Sequence, residues 1–234
     1  MYGKDNLIDI AQSNGGKILS DDGKTVMIDS KEWIDSWEMV RKAIFEDKTM
    51  RIHSGGQGWQ YWYDTIDDVM KDRAAGYIGS SGDQGDLDFS KIAAHIQPGF
   101  KNHKASPVAL AHSMYVPAIT TADKKAAAFK WMKFFTSSKN TAKWSIKTGY
   151  IAVRKSASED PEFKSFAEKN PQVLVPVKQA SIAAGQFIDP TDGKILDAIN
   201  KAADKVEIEG LSAEKALKEA KEIAQKELDA VNKK

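Results

Sequence analysis

The sequence predicts an α/β fold. Short apolar runs that are typical of strands alternate along the chain with longer segments in which apolar residues recur every three or four positions, as in amphipathic helices. The 234 residues suit one large domain or two small ones. A hydrophobic content of 41% is enough for a packed core and too high for a disordered chain.

Three helices are predicted in the first third of the chain. Residues 4–13 are weakly helical, and a second helix begins at a capping box formed by Asp29 and Glu32. A third helix runs from about Trp59 to Arg73. The inward faces of the second and third helices comprise Trp33, Trp37, Val40 and Ile44, and then Ile66, Val69 and Met70.

Three strands are predicted in the middle of the chain, at 75–78, 92–96 and 111–118. The first of them leads directly into a loop rich in glycine, serine and aspartate at 79–86. A proline and a glycine end the second strand, and a proline ends the third.

The remaining elements are helices. One is capped by Thr121 or Asp123 and ends at Phe135, and the next covers about 139–148 and is closed by Gly149. Two more helices are predicted, one that starts at Thr191 or Asp192 and one that is capped by Ser212. The predicted inward face of the helix that ends at Phe135 comprises Ala126, Phe129, Met132 and Phe135. The inward faces of the last two helices comprise Ile195, Leu196, Ile199, Ala202 and Val206, and then Ala216, Leu217, Ala220, Ile223, Ala224 and Leu228.

Composition excludes several classes of function. A net charge of +1 gives no general attraction to nucleic acid or to an anionic membrane. The absence of cysteine excludes disulfides, thiol catalysis and thiolate metal sites. The four histidines lack the spacing of a metal site, so we expect neither a metal nor a cofactor.

The chain carries no catalytic signature, and we therefore predict that it is not an enzyme. Asp83, Asp86 and Asp88 could in principle perform acid/base chemistry. Catalytic carboxylates of glycosidases usually come from different strands, whereas these three share one short loop. Turn-forming and capping aspartates are the favoured interpretation.

Two segments are suited to binding a small molecule. In Gly79-Ser80-Ser81-Gly82 the glycines allow close approach to the backbone, and the hydroxyls both donate and accept hydrogen bonds. A plain turn is the alternative. The aromatic cluster Trp59–Tyr63 could stack on a sugar, unless most of its rings belong to the core.

Six segments then point to one family, because they follow one another in the family's order. They are Gly-Tyr-Ile-Gly-Ser-Ser-Gly at 76–82, Ala-His-Ser-Met-Tyr-Val-Pro at 111–117, the helix at 126–137, Lys-Thr-Gly-Tyr-Ile-Ala-Val-Arg-Lys-Ser-Ala at 147–157, Phe-Ala-Glu-Lys-Asn-Pro at 166–171 and Ser-Ala-Glu-Lys-Ala-Leu at 212–217. Together they resemble the family-1 extracellular solute-binding proteins, which include maltose-binding and glycerol-3-phosphate-binding proteins.

The resemblance implies a fragment of a two-lobed protein of the type II periplasmic-binding-protein fold. Residues 1–104 and 154–234 would form most of the C-lobe, and residues 105–153 would be an orphaned piece of the N-lobe. The first N-lobe segment, the signal peptide and the lipid anchor would be missing. The whole protein would be extracellular, either as a cell-surface lipoprotein or in the periplasm.

The function implied by the resemblance is that of the substrate-binding subunit of an ABC transporter. Such a subunit captures a carbohydrate or polyol by closure of its two lobes and delivers it to a membrane permease. A glycoside-processing enzyme and an interaction scaffold that binds no ligand are the alternatives.

Ligand contacts follow from the matching motifs. Ser80 and Ser81 match the family's Ser-Ser-Gly loop, in which Asp83 also lies, and Tyr150 matches a tyrosine that reaches the cleft. We expect an aromatic side chain from Trp59 or Tyr61 to join them.

Two further positions depart from the family pattern. Ser113 matches the serine of a Gly-Gly-x-Ser stretch, but Leu110-Ala111-His112 replaces the glycines, so we expect His112 to supply a hydrogen bond instead. Phe187 stands where glycerol-phosphate binders carry an arginine. Without that cation a neutral sugar is the expected ligand.

The assignment of residues 105–153 to a missing lobe also predicts self-association of the chain. If they evolved to pack against a sheet that this chain lacks, a strand edge and an apolar helix face are left without cover. We therefore expect a homodimer through residues 105–153, by symmetric contact or by domain swapping.

Overall fold

The computed structural model describes residues 3–55, 57–100 and 102–233. The chain divides into two compact units. Unit 1 comprises Met1–Ile78, Gln97–Ala109 and Ile182–Lys234, and unit 2 comprises Gly79–Ile96 and Leu110–Ser181.

Helices account for most of the regular structure in the described residues. They are α1 (Lys4–Ser13), α2 (Lys31–Phe45), α3 (Gln60–Met70), α4 (Ala122–Phe135), α5 (Ser138–Thr148), α6 (Pro161–Lys169), α7 (Leu174–Ala180), α8 (Lys194–Glu207) and α9 (Ala213–Asn232). Two short strands, β1 (Val108–Ala109) and β2 (Ala184–Gly185), pair in parallel, with Val108 opposite Ala184 and Ala109 opposite Gly185.

The core of unit 1 is built around α2, α8 and α9, and α1 packs against α2 and α8. Trp33 and Trp37 are fully buried with their ring centroids 5.8 Å apart. Trp33 Nε1 donates to the Lys17 carbonyl over 2.9 Å, and Trp37 Nε1 donates to the Leu7 carbonyl over 3.2 Å. Both indoles therefore contribute their full apolar area without leaving a buried donor unpaired.

The predicted inward face of α2 is largely confirmed, but its predicted cap is wrong. Trp33, Trp37 and Val40 are buried. Ser30 occupies the N-cap position without a capping side-chain hydrogen bond, and Asp29 accepts hydrogen bonds from Lys221 on α9 over 2.8 and 3.0 Å. The Asp29 carboxylate, which the sequence pattern assigned to the N-terminus of α2, is thus bound by the ammonium group of Lys221 on a neighbouring helix.

Helix α9 follows its predicted pattern at all but one position. Its buried residues include Ala216, Leu217, Ala220, Ala224 and Leu228. Ile223, predicted to face inward, is 53% exposed. That prediction is wrong because packing against α8 and α2 covers a stripe of α9 narrower than its apolar pattern.

Unit 2 has a small core made by α5, α6 and the short turns before and after α6, with Phe163 and Val173 as its largest members. Helix α4 lies outside that core and has no buried residue. Its predicted inward face is wrong at Ala126 and Phe129, which are exposed, while Met132 and Phe135 are half-buried. The reason is that the main packing of α4 within the described residues is against α5, where Phe135 meets Trp144 edge to face at 5.4 Å between centroids.

The three strands predicted at 75–78, 92–96 and 111–118 are wrong, since these segments are irregular. An apolar run becomes a strand only when a neighbouring strand pairs with its backbone. In the described part of the chain that pairing reaches only two residues each of β1 and β2, apart from an isolated bridge between Leu19 and Val26. None of the described helices is both long enough and apolar enough to cross a membrane.

Candidate functional site

The loop that follows Gly79 is held by two reciprocal hydrogen bonds. Ser80 Oγ accepts from the backbone N–H of Gly82 over 3.1 Å, and the backbone N–H of Ser80 donates to Asp83 Oδ2 over 2.9 Å. These bonds start the 3-10 helical turn Ser81–Asp86, and Asp83 is buried beneath it. The carboxylate of Asp83 therefore fixes the shape of the loop in addition to being a predicted ligand contact.

Tyr150 lies directly on this loop, and glycine makes the contact feasible. A Cβ atom at Gly82 would stand 2.5 Å from Tyr150 Cζ and 2.7 Å from its hydroxyl oxygen. Only the bare backbone of Gly82 leaves room for the phenol ring.

The residue before Tyr150 is fitted just as closely. Gly149 caps α5 in the left-handed conformation, with φ of 76°. A Cβ atom there would stand 2.2 Å from the Ser81 carbonyl oxygen and 2.9 Å from Gln84 Cβ. The end of α5 and the serine loop are consequently locked together at two glycines.

The structure thus brings together four predicted site residues: Ser80, Ser81, Asp83 and Tyr150. Both serines are half-buried, and Tyr150 is 50% exposed. The patch combines hydroxyl groups with one face of an aromatic ring, which are the groups that bind polyhydroxylated ligands.

His112 and Ser113 belong to the same unit but lie in an irregular, exposed segment. No hydrogen bond from either side chain to the described residues is present. Their predicted contact with ligand stays a prediction.

The three remaining predicted residues belong to unit 1. Trp59 immediately precedes α3 and has 66% of its surface exposed, and its ring centroid is 6.2 Å from that of half-buried Tyr61. Tyr61 in turn meets Trp62 edge to face at 6.4 Å. Phe187 is partly buried and packs against the main core of unit 1, which gives it a structural role.

An ion cluster in unit 1 escaped the sequence patterns. Buried Asp68 accepts hydrogen bonds from Arg51 and Arg73 and lies 2.7 Å from His53 Nε2. Burial raises the Asp68 pKa, but the hydrogen bonds from Arg51, His53 and Arg73 outweigh it and hold the pKa well below its usual range. The partners are 17, 15 and 5 residues away in sequence, so no local spacing could reveal them.

Two of the three loop aspartates, Asp83 and Asp88, have structural partners. Asp88 accepts from the backbone N–H and the hydroxyl of Ser90 over 2.9 and 2.6 Å.

Within residues 3–55, 57–100 and 102–233, no three His, Asp or Glu side chains are grouped so that they could hold a metal ion.

Sequence comparison defines the family. The profile of the family described as bacterial extracellular solute-binding protein matches residues 2–173, which is most of the chain. The chain belongs to this family. Comparison with curated proteins returned no match.

Solved structures show the same fold. UgpB from Mycobacterium tuberculosis, solved with glycerophosphocholine, superposes with a TM-score of 0.77 at 19% identity, covering 98% of this chain and 57% of UgpB. The GacH receptor of Streptomyces glaucescens, solved without ligand and with acarbose, gives 0.77 at 14% identity and 97% and 57% coverage. Maltose-bound T. maritima MalE3 gives 0.71 at 18% identity and 97% and 56% coverage.

These likenesses confirm the predicted fold class, since the neighbours are type II periplasmic binding proteins. The chain spans a little over half the length of each of these three proteins. The assignment of residues 105–153 to a different lobe from the rest stays a prediction.

Proposed function

We propose that this chain is part of the substrate-binding subunit of an ABC importer for a carbohydrate or polyol, captured by closure of two lobes. The observation that carries the proposal is the fit of Tyr150 onto the Ser80–Gly82 backbone, which holds a half-exposed aromatic ring beside two serine hydroxyls. Hydroxyls and an aromatic face are complementary to the two sides of a sugar ring.

The proposal extends to the ligand and to the protein's partners. Maltose, acarbose and glycerophosphocholine are bound by the structural neighbours, and they define the panel to be tested. We assign Ser80, Ser81 and Tyr150 to the ligand contact, with Trp59 and Tyr61 as stacking candidates and His112 and Ser113 as hydrogen-bonding candidates. A membrane permease is the proposed partner, and an extracellular or periplasmic position, with or without a lipid anchor, is the proposed location.

We infer that the chain is not an enzyme. Its family is one of solute-binding proteins, and the carboxylates of Asp83 and Asp88 are engaged in capping bonds. No hydrolysis of a chromogenic glycoside is expected. Turnover that disappears in Asp86→Asn would favour the glycosidase alternative.

Tyr150 provides the direct test of the binding site. In calorimetric titrations against the panel, Tyr150→Ala should weaken the binding of any ligand found by about 1–3 kcal/mol, because it removes both stacking area and a hydroxyl. Tyr150→Phe should retain most of the stacking and lose only the smaller hydrogen-bond contribution.

The matched control is Tyr115→Ala, because Tyr115 lies in the same unit and is 84% exposed. It should leave affinity unchanged. If Tyr150→Ala binds as tightly as the parent protein, Tyr150 does not belong to the site.

We also propose that residues 105–153 form a contact between two copies of the chain. Phe129 and Phe134 on α4 are 63% and 65% exposed, and Ile119 before the helix is 96% exposed. Burying such surface is favourable by about 25 cal/mol per Å² before the costs of association.

The charge of this segment predicts how the dimer should respond to salt. Residues 105–153 contain seven lysines and one acidic residue, Asp123. The lysines are Lys124, Lys125, Lys130, Lys133, Lys139, Lys143 and Lys147. Two such segments repel each other, so the dimer should strengthen as the ionic strength rises from about 0.02 to about 0.5 M.

Light scattering at micromolar concentration measures this response. Phe129→Ser with Phe134→Ser should give a monomer at both salt concentrations, whereas Ile223→Ser on α9 should behave as the parent protein does. A parent protein that is monomeric at high salt would exclude the dimer.

A further inference from the structure

A pocket in unit 1 lies where the end of α2, the segment that follows it and the end of α8 meet. Its volume is about 440 Å³, which is within the range of small-molecule sites. Five apolar side chains line it, together with Lys48, Arg51, Ser54 and Glu207. The apolar ones are Ile44, Phe45, Met50, Ile52 and Ile208.

Lys48 gives this pocket an uncommitted positive charge. It is exposed and forms no ion pair with any other part of the chain that the structure describes. Its backbone lies in the left-handed region, with φ of 55°. Residues other than glycine adopt that conformation at a cost, and such strain concentrates at functional positions.

Arg51 adds a second cation whose orientation is fixed. Its Nε and one terminal nitrogen donate to Asp68, which also binds Arg73 and lies against His53. Asp68 uses two sides of the guanidinium, and the group has five N–H donors in all. Arg51 is 55% exposed at its side chain and lines the pocket, so the guanidinium keeps donors that Asp68 does not use.

Glu207 is a buried member of the pocket lining. It is 1% exposed, its Oε2 accepts from the backbone N–H of Gly3 over 2.8 Å, and its Oε1 has no partner within the described residues. Burial raises its pKa to about 7. Glu207 is therefore largely uncharged below neutral pH and does not cancel the charge of Lys48.

We propose that this pocket binds a small amphiphilic carboxylate, with the carboxylate against Lys48 and Arg51 and the aliphatic chain between Ile44, Ile52 and Ile208. A pocket that pairs cations at its rim with an apolar wall selects molecules that carry one anionic end and one apolar end. This site is independent of the proposed sugar site.

Titration of the isotope-labelled 234-residue chain with octanoate at pH 6, followed by NMR, tests the proposal. Backbone signals of Ile44, Ile52 and Ile208 should shift together with a dissociation constant in the millimolar range or below. Acetate lacks the chain and hexanol lacks the charge, so each should bind at least about tenfold more weakly.

Two variants separate the contributions of charge and shape. Lys48→Asn removes the cation and introduces a residue that tolerates positive φ. It should weaken the binding of octanoate about tenfold or more. Ile208→Asp, which places an anion in the apolar wall, should weaken binding to at least the same extent. Lys226→Asn, on the exposed side of α9, should bind octanoate as the parent does.

The proposal is overturned if octanoate does not shift the backbone signals of Ile44, Ile52 and Ile208, or if hexanol or acetate binds as tightly as octanoate. It is also overturned if Lys48→Asn and Lys226→Asn bind octanoate with the same affinity. Because sugar titrations report on other residues, failure here would leave the sugar site untouched. Failure of the sugar titrations would likewise leave this pocket standing.

Discussion

Replacing Gly149 with alanine should destabilise unit 2 and separate Tyr150 from the serine loop. The new Cβ would stand 2.2 Å from the Ser81 carbonyl oxygen, a distance at which the backbone must move. Alanine also resists the φ of 76° that closes α5. We expect the free energy of unfolding to fall by about 2–4 kcal/mol, from the left-handed backbone and the clash together.

Gly23→Ala separates these two causes. Gly23 has a φ of 69°, but nothing lies within 4 Å of a Cβ placed there. This variant should therefore show only the backbone cost of about 1–2 kcal/mol. Urea denaturation measures both variants, and equal losses at Gly149 and Gly23 would show that the clash with Ser81 is relieved at no cost.

Gly82→Ala tests the same arrangement from the other side. It adds a Cβ under the Tyr150 ring without requiring positive φ. If the serine loop and Tyr150 act as one site, Gly82→Ala and Gly149→Ala should both weaken sugar binding by about as much as Tyr150→Ala does, about 1–3 kcal/mol. Retention of full affinity in either variant would contradict the proposed geometry.

Seven of the nine described helices could be predicted from sequence because their signals are local, whereas α6 and α7 were missed. The spacing of Trp33, Trp37 and Val40 marks the buried face of α2, and Gly149 marks the end of α5, both as observed. Which face of a helix is buried could not always be predicted, because burial depends on contacts with other elements. Phe129 follows the helical period of α4 and is nevertheless exposed, because periodicity describes a face and says nothing about whether a partner covers it.

The strands could not be predicted because pairing is not local. Residues 111–118 have the composition of a strand, yet the pairing that forms lies just before them, between Val108–Ala109 and Ala184–Gly185, about 76 positions apart in sequence. The candidate site shows the same division. Motifs placed Ser80, Ser81 and Tyr150 in one site, whereas the grouping of Lys48, Arg51 and Glu207 in a pocket depends on contacts between distant segments.

Two buried carboxyl groups should make the protein less stable as the pH rises. Burial raises the pKa of Glu207 from its usual 4.5 to about 7, and that of Asp9 from 3.8 to about 6. Between those values the folded chain holds protons that the unfolded chain has released. The stability linked to these protons is complete below about pH 4 and is lost as the pH rises towards 7.

The largest effect of a single charge is therefore expected at Glu207. Its shift from 4.5 to about 7 corresponds to about 3 kcal/mol of stability lost between those pH values. Glu207→Gln removes the ionisation and keeps an oxygen to accept from Gly3. Its stability should be close to that of the parent at pH 4.5 and higher by about 2–3 kcal/mol at pH 8. The amide nitrogen then takes the place of Oε1 and, like Oε1, has no hydrogen-bond partner within the described residues.

Urea denaturation of parent and variant at about six pH values between 4 and 8.5 measures this difference. Glu209→Gln is the matched control, because Glu209 lies two residues further on and is exposed. Its stability should follow the parent's at every pH. A constant offset between parent and Glu207→Gln would show that Glu207 has the same pKa in the folded and the unfolded chain, so that it is ionised in the folded chain at neutral pH. In that case the protein would have to supply a partner for the buried charge, since a carboxylate without one is strongly destabilising in the interior.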